Sequence, residues 1–124
     1  MTKMAVVCAG DGGTSFDREY YATKHFALAM ECWGQYGLQA VEAFYPVGDG
    51  DGWMSVGVYR FAEPGDVDRA LRSAETDRVM ADVKNFTDST DVMRSVFDPL
   101  RGHVADASGA RGAPDVGERV GFRR

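Results

Sequence analysis

The amino-acid sequence predicts an α+β fold of the ferredoxin-like kind: an antiparallel four-stranded sheet with two helices on one face. Three observations carry this. Short apolar or alternating runs occur at Lys3–Ala9, Leu38–Pro46, Trp53–Phe61 and Thr90–Phe97, the pattern of strands. Two segments with helical spacing interrupt them, after the first run and after the third. Gly, Asp and Pro clusters punctuate the joins. The resulting order, β-α-β-β-α-β, is the split βαβ unit.

Each element has its own justification. Lys3–Ala9 is short, rich in β-branched residues and followed by a Gly/Asp loop, so it reads as a buried strand. Thr14–Asp17 has the form of a capping box, and Asp17 and Glu19 suit the positive end of a helix. That helix is expected to run to about Trp33 and to stop at Gly34 or Gly37. Leu38–Pro46 and Trp53–Phe61 alternate on either side of the turn Val47–Gly52, which predicts a hairpin. Pro64 stands where a second helix starts, with acids in its first turn. Val79, Met80 and Val83 continue at helical spacing until Asn85–Asp88 breaks it, and Thr90–Phe97 is the last strand.

A length of 124 residues supports one domain with one modest core. Residues 1–100 are assigned to it. Residues 101–124 hold five Gly, and five Arg against three acids, with almost no large apolar side chains. Such a segment buries too little surface to offset its ordering entropy, so a mobile arm is expected. The net charge of −5 argues against nucleic acid and against an anionic membrane as partners. No apolar run near the start approaches the ~20 residues of a membrane span, and Met4–Ala9 is too short for a signal peptide. A cytoplasmic location is the expectation. Cys8 and Cys32 form no paired motif and read as buried thiols.

Two helices cover only one face of a sheet. Yet Leu38 and Phe44 oppose Val41 and Tyr45, and Met54, Val56 and Val58 oppose Trp53 and Tyr59, so both faces are partly apolar. An uncovered face of that kind predicts a homodimer.

Few residues carry chemistry. Gly10–Gly13 sits between strand and helix but matches no phosphate loop. Asp49–Trp53 lacks the carboxylates and terminal Glu of a calcium loop. With two histidines in the chain, neither a metal site nor a cofactor is expected. His25 remains, sharing a helix face with Tyr21, Leu28 and Cys32. One reading is a buried imidazole satisfied by a single hydrogen bond. The other is a general acid/base, the role histidine fills best near neutral pH. Asp88 is the candidate base or orienting carboxylate, with Asn85 and Thr87 as the alternatives to orient the ring or hold a substrate oxygen; Tyr21 is a second donor and Tyr20 a packing residue. Asn85, Phe86 and Thr87, with the aromatic residues Phe44, Trp53 and Tyr59, are candidates for the wall of a binding site for a flat apolar molecule.

Two stretches, Phe16–Leu28 with its aromatic pair and histidine and Val79–Asp88 with its polar loop, resemble the EthD family, named after ethyl tert-butyl ether degradation. The resemblance spans about Lys3 to Pro99. It implies a dimeric α/β-barrel and a cavity between helices and sheet with the helix histidine at its edge. It departs from the family at Ala27 and Lys84, where proline is common; Lys84 either steers an acidic substrate or merely faces water. The implied function is cofactor-independent acid/base chemistry (isomerisation, dehydration, decarboxylation or cyclisation) on a small apolar, aromatic or polyketide-like substrate. Alternatives are a cofactor-free oxygenase or monooxygenase accessory, and a non-catalytic small-molecule binding module.

Overall fold

A computed structural model describes residues 1–48, 52–98, 102–107 and 109–112. Strands β1 (Thr2–Gly10), β2 (Leu38–Phe44), β3 (Gly52–Phe61) and β4 (Asp91–Phe97) form one antiparallel sheet in the order β2-β3-β1-β4. β1 is central, so Val6 faces Gly57 on one side and Arg94 on the other. This is the predicted ferredoxin-like order.

The first helical stretch has three parts. α1 (Arg18–Tyr20) leads into a π-helical turn (Tyr21–His25), and α2 (Phe26–Trp33) follows. Its cap is Asp17, whose carboxylate accepts the Tyr20 backbone N–H at 2.9 Å. Thr14, expected in that role, closes a tight turn with Asp11 instead. The reason is Phe16, which is held extended by a bridge to Thr87, so helical geometry starts only beyond it. A 3-10 turn (Gly34–Tyr36) ends the stretch at Gly37, whose φ of +100° favours glycine; an added methyl there would also strike the Asp66 carboxylate.

The second helical segment divides into α3 (Asp66–Arg72) and α4 (Thr76–Ala81) because Ser73 is extended. The Thr76 hydroxyl donates to the Ala70 carbonyl across the break and accepts the Trp33 indole N–H at 2.9 Å. That pair ties α4 to α2. The core lies beneath these helices: Met4, Ala29, Trp33, Phe61, Val67 and Val79 are all buried.

Side chains on the inner sheet face, such as Cys8, Ser55, Tyr59 and Phe61, are buried. On the outer face Phe44, Met93 and Phe97 are exposed, while Val56 and Val58 are partly so. β4 is exposed along its whole length, because the helices do not reach over it. Beyond the sheet, β5 (His103–Asp106) pairs with β6 (Gly109–Gly112) as a hairpin with His103 exposed. The expected arm thus starts as a hairpin, and residues 113–124 lie outside the described residues, as do residues 49–51 of the turn before β3. Among the described residues no helix is long and apolar enough to cross a membrane.

Candidate functional site

The gap between the helices and the β1–β4 half of the sheet is a cavity of about 520 Å³, within the ~300–1,000 Å³ of small-molecule sites. Val6, Val79, Val83 and Val92 give it apolar walls; His25, Tyr21, Tyr59, Cys8 and Arg94 bring the polar atoms.

His25 is 3% exposed. Its Nδ1 meets Asp82 Oδ2 at 2.9 Å, and its ring packs on Phe86 and stacks on Tyr21. Asp82 Oδ1 accepts from the Tyr20 hydroxyl at 2.7 Å and the Asn85 amide at 2.9 Å. Burial pushes His25 below its ordinary protonation range, against the opposing hydrogen bond and charge of Asp82. Burial alone would raise Asp82, but the Asn85, Tyr20 and His25 hydrogen bonds outweigh it and hold the carboxyl low. The pair therefore rests as carboxylate and neutral imidazole, with the ring proton on Nδ1. Among the described residues Nε2 has no hydrogen-bond partner, and the residue lines the cavity. A free imidazole lone pair beside an apolar cavity, with its tautomer set by a carboxylate, is the geometry of a general base.

The π-helical turn makes this convergence possible. An α-helix advances ~100° per residue, which sets positions five apart on different sides. The turn is closed by the Phe26 N–H to the Tyr21 carbonyl, and this i→i+5 closure brings Tyr20 and His25 to one carboxylate.

The expected site residues divide. His25, Tyr21, Tyr59 and Phe86 line the cavity. Asn85 joins it through Asp82. The carboxylate on His25 is Asp82 and not Asp88, a correction to the expected pair. Asp88 is exposed, accepts the Ser15 backbone N–H at 2.8 Å and borders a separate cleft. Thr87 is occupied by the Ser15 carbonyl and the Ser89 N–H. Trp53 stands at that second cleft, and Phe44 lies on the outer face of the sheet, since its partner Val56 faces outward. Neither reaches His25. The tyrosines exchange the expected parts: Tyr20 holds the carboxylate, whereas the Tyr21 hydroxyl is buried with no hydrogen-bond partner among the described residues, packed where Gly57 leaves room for it. Burial raises the Tyr21 and Tyr59 hydroxyls far above the usual phenol range, so both stay protonated.

Asp82 had a signal that helical periodicity does not carry. It lies at the carbonyl end of α4, where the helix dipole disfavours an acid. An acid in that place needs compensating donors, and three converge on it.

The molecule is thus a small antiparallel α+β protein with an apolar cavity edged by a carboxylate–histidine pair. Its fold is that of solved EthD-like proteins. An EthD-like protein from Ralstonia eutropha JMP134 aligns with a TM-score of 0.68 at 14% identity, over 80% of this chain and 91% of that one. An ethyl tert-butyl ether degradation (EthD) family protein from Bacillus halodurans C-125 aligns with a TM-score of 0.56 at 16% identity, over 79% and 97%. An Arabidopsis thaliana protein aligns with a TM-score of 0.58 at 11% identity, over 80% and 95%. No family model matches the chain, and no curated protein does.

Proposed function

We propose that this protein binds a small, largely apolar organic molecule in the cavity and acts on it by acid/base chemistry, with His25 as the proton-transfer group. The observation that carries the reading is the buried His25 with Nδ1 on Asp82 and Nε2 free beside the cavity. Asp82 orients the ring and stabilises the imidazolium that forms when Nε2 takes a proton; Tyr20 and Asn85 hold Asp82 in place. The cavity walls exclude water and favour a flat apolar substrate. The working unit is a homodimer in which two outer sheet faces pack together, because Phe44, Met93 and Phe97 otherwise stay in water.

The deciding experiment incubates the protein with aromatic and polyketide-like carbonyl compounds and follows conversion by mass spectrometry. The wild type converts a compound and His25→Ala, equally folded by circular dichroism, does not. Equal conversion by both proteins would overturn the role of His25. Tight binding of a compound recovered unchanged would instead mark a binding module. Conversion that stops when oxygen is removed would mark an oxygenase.

A further inference from the structure

The acid/base reading leaves one cavity residue without a task. Arg94 sits in the middle of β4, opposite Val6 of β1. Val6 belongs to the inner face together with Met4 and Cys8, so Arg94 and its neighbour Val92 project toward the helices. Among the described residues no helix covers β4, so Arg94 lines the cavity at its open side.

Its surroundings there are apolar: Val6, Val79, Met80, Val83 and Val92 share the wall. Among the described residues no acid forms an ion pair with Arg94. Several other arginines are engaged: Arg69 with Asp66, Arg72 with Asp68, Arg78 with Glu31, and Arg18 over the Tyr45 ring. The acid nearest the chemistry, Asp82, is already held by three donors behind His25. In a chain of net charge −5, a guanidinium without an acid partner at the mouth of an apolar cavity is, among the described residues, the one fixed positive charge on its wall. Lys84, the cation that the sequence offers for an acidic substrate, is exposed and is not part of that wall.

We infer that the cavity selects apolar molecules carrying one carboxylate, and that Arg94 binds the carboxylate at the mouth while the apolar body lies against the walls. The guanidinium offers two parallel N–H donors that fit the two carboxylate oxygens. The inference rests on the cavity being a small-molecule site, as proposed above, and adds the class of ligand. A charge that only blunts an edge strand against pairing with other chains has no such selectivity.

The probes are 2-naphthoate and its neutral counterpart 2-naphthylmethanol, titrated calorimetrically into wild type, Arg94→Gln, Arg94→Lys and the control Lys84→Gln. Wild type and Lys84→Gln favour naphthoate about tenfold, the effect of one charge-assisted hydrogen-bond pair at a partly desolvated site. Arg94→Gln removes that preference and leaves naphthylmethanol binding unchanged; Arg94→Lys retains part of it. Equal binding of the two probes by wild type, or a preference that survives in Arg94→Gln, overturns the inference while leaving the cavity intact. If wild type binds neither probe, the small-molecule reading fails and the inference with it. An Arg94-dependent preference beside full turnover in His25→Ala would overturn only the catalytic role of His25.

Discussion

Replacing Asp82 by alanine isolates the interaction on which the site depends. Three donors lose their acceptor: the Tyr20 hydroxyl, His25 Nδ1 and the Asn85 amide. A hydrogen bond to a charged group contributes ~1.5–3 kcal/mol when its donor is left dry. The three do not count equally. Asn85 is exposed and Tyr20 is half-buried, so both regain water at little cost. The His25 side chain is 4% exposed, and its Nδ1–H stays unsatisfied. The loss should therefore be about 2–3 kcal/mol, close to a single dry hydrogen bond plus a small remainder. For a domain of this size that lowers Tm by roughly 10–20 °C. Urea unfolding at pH 7 measures it directly. Asp88→Ala, which loses only the exposed Ser15 contact, is the matched control and should cost less than ~1 kcal/mol. A cycle with His25→Gln should show ~1 kcal/mol or more of coupling to Asp82. An Asp82→Ala protein as stable as wild type, or a greater loss at Asp88, would refute the assignment of the pair.

Further outcomes follow from the same geometry. His25 is held below its ordinary value of 6.5, so in the unfolded chain it binds protons that the folded chain refuses; stability should fall as pH drops below about 6.5 and level off once the lower folded value is passed. Asp82, held below its ordinary 3.8, should repeat this in a second window below that value; urea midpoints from pH 8 to 3 show both, and His25→Gln should lack the upper one. A His25-dependent activity should be complete at neutral pH and should be lost in acid, as Nε2 is protonated. Gly57→Ala forces its methyl onto the Tyr21 hydroxyl and should cost ~1–3 kcal/mol; an unchanged Tm would mean that the Tyr21 ring moves freely. Val56→Lys on the outer sheet face should turn a dimer into a monomer in sedimentation velocity, and a monomeric wild type would remove the basis of the dimer.

The strands were readable because period-two alternation is local. Trp53–Phe61 and Thr90–Phe97 needed only their own side chains to be recognised, and their limits differ from the structure by a residue or so. The fate of each face was less legible. Phe44 has the composition of a pocket residue, yet only the pairing with Val56 shows that it points away from the helices. The site was legible at His25 and blurred around it. Asp88 and Asp82 are both acids close to the break after Val83, and choosing between them requires knowing that Phe16 and Thr87 are bridged, which directs Asp88 to Ser15. Tyr20 and Tyr21 were exchanged for a different reason: spacing arguments assume 3.6 residues per turn, and the turn at Tyr21–His25 is wider.

That wider turn has a consequence for how the site can be gained or lost. The helix carries one residue more than its hydrogen-bonding period requires. Removal of a single residue between Tyr21 and His25 would restore an ordinary α-helical repeat and leave Tyr20 four positions from the histidine, still on one face, whereas an ordinary helix of unchanged length would set the two on different sides. The meeting of Tyr20 and His25 at one carboxylate thus depends on a match between the spacing of the two residues and the width of the turn. A version one residue shorter, with an ordinary helix here, would present the same two side chains on one face, so the constellation can survive a change of length that shifts every later position by one.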